Sequence, residues 1–302
     1  MTTEYRRQHL VSRVILSRFT LDAGPDAKRL NILTRAEPGV LQLVNPRNAA
    51  KEDWFIEVRA QQFEQCWGQA ENAVVPALAE LDAHIDPSGP SPDSARSITD
   101  IMALHLIRSA AAQHLWDRGR DRIVPRRRAA MAEDRTLLGL ARSSGKFPAA
   151  WSDEQIVDSI TAGLEDPLRK GGEAFGETLV ELYNSVRAHF AKMYLEIGEA
   201  VDTDFVLPDV PCVPYDAEHG AAGLLAGFGL LRSDAVVMPL GPRHLASLVT
   251  RAPDAPWSRL ASDQVGSIND VLANVALREV YLRPGSGLEH QVREVWSRSS
   301  EP

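Results

Sequence analysis

The feature that most constrains the fold is the separation of strand-like and helix-like segments along the chain. Short apolar runs broken by glycine and proline fill residues 1–57 and 202–302, and such runs are typical of strands. Residues 58–201 carry apolar side chains at every third or fourth position, which predicts helices. This segregation predicts an α+β fold, with a mixed or antiparallel sheet built from the N- and C-terminal segments around a helical middle. Because both ends would share the sheet, we expect one domain over residues 1–302.

Individual elements can be predicted within these regions. Residues 30–33 and 40–44 flank a Glu37-Pro38-Gly39 turn, which predicts a strand pair. In the middle, apolar spacing predicts one helix over residues 98–118, with Ser97 as its N-cap, and another over residues 175–201.

The charge balance limits the partners of the chain. The sequence has 33 basic and 41 acidic residues, a formal net charge of −8. A net acidic protein is a poor general binder of nucleic acid or anionic membrane, although a local basic patch can still act. Only two cysteines, Cys66 and Cys212, are present, which excludes a disulfide framework. Residues 1–9 are polar, and the most apolar run, residues 221–231, is too short to span a bilayer, so we expect a soluble cytoplasmic protein.

His9 is the first candidate site residue. It lies beside Arg6, Arg7 and Arg13, and neighbouring cations lower the pKa of a histidine and favour the neutral ring. A neutral imidazole can act as a base or a metal ligand. The alternative is a structural histidine that hydrogen-bonds to the backbone.

His105 and Arg108 are three positions apart on the predicted helix and would share one face. A histidine and a guanidinium in this arrangement can hold a phosphate or a carboxylate, because arginine offers two parallel donors. The alternative is a buried arginine paired with Glu64 or Glu71 of the preceding helix.

Asp209 follows Pro208 and precedes Pro211 on a loop after a predicted strand. Proline restricts the backbone, so the carboxylate would be held in place as a catalytic acid, base or metal ligand. The ordinary alternative is a turn-forming aspartate that caps its own backbone.

The segment Arg118–Arg128 is the densest basic cluster in the chain. Such a run can contact the phosphates of a nucleic acid, but no aromatic residue lies within it to stack on bases. The alternative is an exposed helix end followed by a loop.

Sequence motifs for nucleotide or metal binding do not occur. The chain has no phosphate-binding glycine loop, no nucleophile elbow and no His-Glu-x-x-His motif, so no cofactor can be assigned. A metal site would have to be assembled from distant residues such as His9, Glu64 and Asp209.

Several short motifs follow one another along nearly the whole chain. Residues 9–19 resemble His-Tyr-Val-Pro-Gln-x-Tyr-Leu-x-x-Phe, and residues 105–110 resemble Gln-x-x-Arg-Thr-Pro. Residues 205–211 are similar to Phe-Ile-Thr-Ser-Asp-x-Pro, residues 239–242 to Pro-Leu-x-Pro, and residues 269–281 to an Asn followed by Ala-x-Arg-x-Val-Tyr. In this order the motifs resemble those of a bacterial family of unknown function, DUF4238.

The chain departs from these motifs at several positions. Ser12 and Arg13 replace Pro-Gln, His105 replaces Gln, and Ser109 and Ala110 replace Thr-Pro. The family has no assigned activity, and some of its members are thought to act in anti-phage defence.

The resemblance implies one site, because His9, Arg108 and Asp209 fall at three of its signature motifs. His9 would be a base or ligand, Arg108 with His105 would bind an anionic group, and Asp209 would be an acid, base or ligand. The predicted function is hydrolysis or group transfer on a phosphate-containing or nucleic-acid substrate. Two alternatives stay open: an interaction protein with a structural His/Arg/Asp network, and a small-molecule enzyme of secondary metabolism.

Overall fold

The structure is a computed structural model that describes residues 7–21, 28–53, 55–57, 60–83, 89–169, 171–227 and 230–299. The helices are α1 (Arg13–Arg18), α2 (Ala60–Ala83), α3 (Pro92–Ile107), α4 (Ala110–Glu133), α5 (Arg135–Ser143), α6 (Asp153–Leu168), α7 (Glu173–Phe190), α8 (Ser262–Val275) and α9 (Glu289–Ser299). The strands are β1 (Arg7–His9), β2 (Leu30–Thr34), β3 (Leu41–Val44), β4 (Lys51–Asp53), β5 (Tyr194–Ala200), β6 (Leu207–Pro208), β7 (Val213–Asp216), β8 (Ala221–Ala222), β9 (Ala235–Pro239), β10 (His244–Val249), β11 (Trp257–Leu260) and β12 (Glu279–Leu282).

One sheet joins the two ends of the chain. Its strand order is β3-β2-β12-β6, and every neighbouring pair is antiparallel. Strands β2 and β3 form the predicted hairpin around residues 37–39, and β12 then pairs with β2 from the far end of the sequence. The α+β class and the predicted sheet from both chain ends are therefore confirmed, whereas the single-domain organisation stays a prediction.

A second, mixed sheet is built entirely from residues that follow α7. Its order is β11-β5-β10-β9-β7-β8, with β11 parallel to β5 and the other pairs antiparallel. Near the N-terminus, β1 and β4 form a short antiparallel ribbon in which His9 lies opposite Lys51. The ribbon therefore carries the first candidate site residue.

The predicted helix over residues 175–201 is wrong in its second half. Helix α7 ends at Phe190, and strand β5 begins at Tyr194, so the helical middle ends about ten residues earlier than expected. Along its length β5 pairs with β10, from Tyr194 opposite Val249 to Glu199 opposite His244. The ladder hydrogen bonds with β10 decide the conformation, and they cannot be read from the local apolar spacing.

The predicted helix over residues 98–118 is two helices. Helix α3 begins after Ser91 rather than Ser97, and it ends at Arg108. Helix α4 then starts after Ser109, whose Oγ accepts a hydrogen bond from the backbone N–H of Ala112 at 3.2 Å. A serine N-cap satisfies a free helix N–H and so favours a new start there. Residues 118–128 lie inside α4, so the expected helix end and loop is also wrong.

The main apolar core lies where α2, α3 and α7 pack against one another and against α1. Aromatic rings form its centre: Phe175 lies edge-on to Phe55 at 5.5 Å between ring centroids, and Phe55 contacts Trp67 at 6.4 Å. Cys212 is a buried free thiol, whereas the side chain of Cys66 lies outside the described residues. In the part of the chain described here, no helix is both long and apolar enough to cross a membrane.

Candidate functional site

Ser12 is the point at which the N-terminal segment meets α2 and α3. It is fully buried at the start of α1, and its hydroxyl does not cap that helix. Instead, the Ser12 Oγ donates a hydrogen bond to Oε1 of Glu71 at 2.6 Å. The residues gathered around it are called the Ser12 cluster here: His9, Ser12, Glu64, Trp67, Glu71, His105 and Arg108.

Arg108 is held on several sides within the Ser12 cluster. Its Nη2 donates to Oε1 of Glu71 at 2.5 Å and to Oγ of Ser12 at 3.0 Å. The guanidinium also lies over the Trp67 ring, with Cζ 4.9 Å from the ring centroid. Only 2% of Arg108 is exposed, so this is the buried arginine–glutamate pair that the sequence left open as an alternative.

His105 is also completely buried, and both of its ring nitrogens have partners. Its Nε2 accepts the backbone N–H of Ser12 at 3.0 Å, and its Nδ1 lies 2.8 Å from the carbonyl oxygen of Ile101. This geometry requires a neutral ring with the proton on Nδ1. Burial, together with the positive charge of Arg108, lowers the pKa of His105 to about 4. His105 therefore positions the backbone of Ser12.

His9 differs from His105 because one ring nitrogen lacks a partner. The residue is half-buried at the end of β1, and its Nδ1 is buried without a hydrogen bond. Burial, together with the charges of Lys51, Arg108 and Arg13, lowers the pKa of His9 to about 4. The lowered pKa expected for His9 is therefore present. Of the three arginines expected to lower it, Arg13 is the one whose charge contributes. Arg6 lies outside the described residues, and Arg7 pairs with Asp53 at 3.2 Å.

Glu64 adds a second polar atom without a partner. It lies seven positions before Glu71 on α2, and residues seven apart share one helix face. Its Oε1 is buried without a hydrogen bond. Burial raises the pKa of the Glu64 carboxyl, an effect that Arg108 opposes and Glu71 reinforces. In contrast, Arg108 and the Ser12 hydroxyl overcome the burial of Glu71 and lower its pKa.

The Ser12 cluster therefore combines satisfied and unsatisfied groups. His105, Glu71 and Ser12 are fully engaged, whereas His9 Nδ1, Glu64 Oε1 and Arg108 Nε have no partner. Buried polar atoms are hydrogen-bonded in the great majority of cases, so several exceptions in one place require an explanation. A weak base and a carboxyl with a raised pKa are also the groups that proton transfer uses.

Asp209 lies in a different network. Its carboxylate accepts the backbone N–H groups of Leu277 at 2.8 Å and Arg278 at 2.9 Å, just after α8 ends. The Arg278 Nε is 3.8 Å from the same carboxylate. Burial raises the pKa of Asp209 to about 6, although both backbone hydrogen bonds and Arg278 act to lower it. Asp209 thus caps backbone N–H groups, but they lie 68 and 69 positions away in sequence and not in its own turn as the alternative expected.

The two networks are joined through the β1–β4 ribbon. Arg278 donates to Oε2 of Glu52 at 2.8 Å, and Glu52 lies opposite Gln8, the residue before His9. The charges that act on Asp209 come from Arg278 and Glu279, whereas Lys51, Arg108, Arg13 and Glu71 act on His9. The structure thus brings His9, His105 and Arg108 together and places Asp209 in a neighbouring network.

The basic segment Arg118–Arg128 lies along α4. Arg120 pairs with Asp121 at 3.0 Å, and Arg128 pairs with Asp158 of α6 at 2.6 Å. Arg118, Arg122 and Arg126 are exposed and four residues apart, which places them along one side of the helix.

Sequence reasoning did not identify Ser12 or Trp67 as members of the site, and it considered Glu64 and Glu71 only as ion-pair partners or a distant metal ligand. A usable signal was present, because two glutamates seven residues apart flank Trp67 on the apolar face of α2. Carboxylates on a buried helix face indicate a paired or functional group.

A metal site from His9, Glu64 and Asp209 is not formed. Among the described residues, no group of three or more histidine, cysteine, aspartate or glutamate side chains is arranged to hold a metal ion.

Comparisons with known proteins agree with the motif order. A search of curated proteins and a search of solved structures each found no match. The family model described as a protein of unknown function, DUF4238, matches residues 7–286, which include the whole Ser12 cluster and Asp209. The chain therefore belongs to the DUF4238 family of proteins of unknown function.

Proposed function

We propose that the protein is a hydrolase or transferase that acts on a phosphate-containing substrate, with His9 as the general base and Glu64 as the general acid. The observation that carries this proposal is that His9 Nδ1 and Glu64 Oε1 are both buried without a partner and that both residues lie within the electrostatic reach of Arg108 and Glu71. A substrate that bonds to both atoms would remove the cost of burying them unpaired, about 1–3 kcal/mol for each group.

The charges around His9 favour an anionic substrate. Lys51, Arg13 and Arg108 each lower the pKa of His9, so each places positive potential at the ring. A phosphate group is attracted by the same potential. Once bound, its negative charge raises the pKa of His9 from about 4 toward neutral pH, where a general base is most effective.

Glu64 supplies the complementary proton. Burial and Glu71 raise the pKa of the Glu64 carboxyl, which favours the protonated acid. A second negative charge from a bound phosphate raises that pKa further, so the acid is ready to donate to a leaving oxygen. His9 takes a proton from the attacking water or acceptor hydroxyl as its oxygen bonds to phosphorus. The bond from phosphorus to the leaving oxygen breaks, and Glu64 gives that oxygen its proton. Loss of a proton from His9 to solvent and uptake of one by Glu64 restore the starting state.

Arg108, Glu71, Ser12 and His105 act in this proposal as positioning residues. Their mutual hydrogen bonds lock the start of α1 against α2 and α3, which fixes the approach of β1 to Glu64. Asp209 holds the neighbouring Arg278–Glu52 connection to the β1–β4 ribbon. Preorganised positions of this kind lower the barrier without contact with the reacting atoms.

The test combines phosphate binding with turnover. Inorganic phosphate should raise the NMR-measured pKa of His9, and a panel of phosphate mono- and diesters should reveal a substrate for the wild-type protein. His9→Gln and Glu64→Gln should each reduce turnover by about 100-fold or more. Glu64→Gln should also leave the fold at least as stable, because it removes a carboxylate buried near Glu71.

His114→Gln is the matched control, since it removes an exposed histidine from α4. It should leave both phosphate binding and turnover unchanged. A wild-type protein that neither shifts the pKa of His9 with phosphate nor turns over any ester would refute the proposal. Folded His9→Gln protein with full activity would refute the role of His9.

A nucleic acid is the larger form of such a substrate. The exposed row of Arg118, Arg122 and Arg126 has the spacing to follow phosphates along one side of α4. If it does so, the triple replacement of these arginines by glutamine should weaken binding of RNA or DNA and reduce its salt dependence. Turnover of a small phosphate ester should stay unchanged.

The second candidate is a non-catalytic interaction protein. It is favoured by the full hydrogen bonding of His105 and by the capping role of Asp209. Under this function, His9→Gln would alter neither phosphate binding nor any ester turnover, and Arg108 replacements would act on stability alone.

A further inference from the structure

An apolar cavity of about 370 Å³ lies between the end of α3, the start of α4 and the length of α7. This volume is within the range of about 300–1,000 Å³ that small-molecule sites occupy. Apart from Thr178, the described residues that line it are apolar, and they include Leu106, Trp116, Phe175, Leu179, Leu224 and Leu230. Water finds few hydrogen-bond partners in such a space, so an apolar ligand is favoured there.

A second cavity, which carries positive charge, lies beside the first. It has a volume of about 220 Å³, and Leu115 and Trp116 form the wall between the two cavities. Its other walls include Ile123, Arg120 and Arg127. An apolar cavity and a cavity bounded by guanidinium groups are therefore neighbours along α4, and they are called the paired space here.

The order of apolar and basic side chains along the two cavities follows from the sequence of helix α4. Trp116, Arg120, Ile123 and Arg127 follow one another at spacings of four, three and four residues, which places them on one face. Arg120 pairs with Asp121 at 3.0 Å and with Asp117 at 3.4 Å, so its charge is largely balanced. Arg127 is exposed and forms no ion pair with the described residues, so its charge is available at the end of the paired space.

Apolar side chains also remain exposed at the rim. Leu115 is 41% exposed and Leu182 is 45% exposed, although each lines the larger cavity. A ligand that covers them would remove apolar surface from water at a gain of about 25 cal/mol for each Å². The exposed rim and the apolar interior thus favour the same occupant.

We propose that the paired space binds a single-chain amphipathic anion, with its hydrocarbon chain in the larger cavity and its carboxylate or phosphate against Arg127 and Arg120. Arginine suits both head groups because its planar donors match their oxygens. The proposal does not depend on the proposed function. The cavity lies apart from the unsatisfied atoms of the Ser12 cluster, since neither His9 nor Glu64 is among its described lining residues.

Calorimetric titration of the whole chain with dodecanoate, dodecyl phosphate and dodecyltrimethylammonium tests the proposal. Both anions should bind at one per protein, with a Kd at least about tenfold lower than that of the cation. Their relative affinities distinguish a carboxylate head group from a phosphate. Arg127→Gln should weaken both anions by about tenfold, as expected for the loss of one charge-assisted hydrogen bond.

Arg126→Gln is the matched control, because it removes the same charge from the adjacent position, on a different side of α4. It should leave the Kd values unchanged. Ala112→Trp fills the larger cavity and should weaken both anions; if it does not fold, Leu182→Trp obstructs the same space from α7. Binding of the cation as tight as that of the anions, or equal losses in Arg126→Gln and Arg127→Gln, would overturn the proposal. Wild-type affinity in both tryptophan variants would also overturn it.

Discussion

The backbone N–H of Ser12 donates a hydrogen bond to Nε2 of His105 at 3.0 Å, across 93 positions of sequence. The two residues are also two of the departures from the family motifs, which have proline and glutamine at these positions. A proline has no N–H to donate, so the bond with His105 exists only because residue 12 is not proline.

Replacement of His105 tests this relationship. His105→Leu leaves the buried Ser12 N–H without an acceptor and should lower the free energy of unfolding by about 1–3 kcal/mol. His105→Gln should lower it by less, because the amide oxygen can accept the same N–H. Urea denaturation followed by circular dichroism measures both values. Equal stability of the two variants would contradict the role of the bond.

The histidines of the Ser12 cluster should also make stability depend on pH. The pKa of His9 is about 4 in the folded protein against an ordinary value of 6.5, so between these values the unfolded chain binds more protons. The free energy of unfolding therefore falls as the pH falls from 6.5 toward 4. His105, with a pKa of about 4, acts in the same direction. Asp209 acts in the opposite direction below pH 6, because its folded pKa is raised from 3.8.

Comparison with a variant isolates the contribution of His9. Relative to His9→Gln, the wild-type protein should lose stability between about pH 7 and about pH 5, as measured by urea denaturation at each pH. His114→Gln changes an exposed histidine and should keep the wild-type slope. The same slope in His9→Gln and wild type would show that His9 takes up its proton equally in both states.

Replacement of Asp209 should affect stability more than function. Asp209→Ala leaves the backbone N–H groups of Leu277 and Arg278 without their acceptor and should cost about 2 kcal/mol. Asp209→Asn keeps one acceptor oxygen and should cost about half as much. Chemical denaturation gives both values, and phosphate titration of the folded Asn variant should match wild type. Loss of phosphate binding in that variant would show that Asp209 takes part in phosphate binding.

The class of the fold could be predicted from sequence because its elements are segregated. The β2–β3 hairpin and the pairing of both chain ends follow from apolar runs separated by turn residues. The two wrong helix predictions have different causes, one distant in sequence and one local. Strand β5 is fixed by β10, and the α3–α4 break is fixed by a single serine within a continuous apolar pattern.

The site could be predicted only in part. His9, His105 and Arg108 stand out as polar residues in conspicuous positions, and the pairing of Arg108 with a glutamate of α2 was one of two open interpretations. Asp209 lies in a separate network because it caps the backbone between the end of α8 and the start of β12. No local sequence pattern predicts this contact. Ser12 could not be identified because its importance comes entirely from tertiary contacts.

The pairing of β2 with β12 has a consequence for assembly of the molecule. Thr34 lies opposite Glu279, so the first stable sheet near the N-terminus must await a strand 245 positions away. Closing so long a loop costs entropy before any contact rewards it, which makes folding slow. A cut in the exposed connection between α5 and α6 would therefore give fragments that each hold part of one sheet. Such fragments would have to associate in solution before β2 could pair with β12.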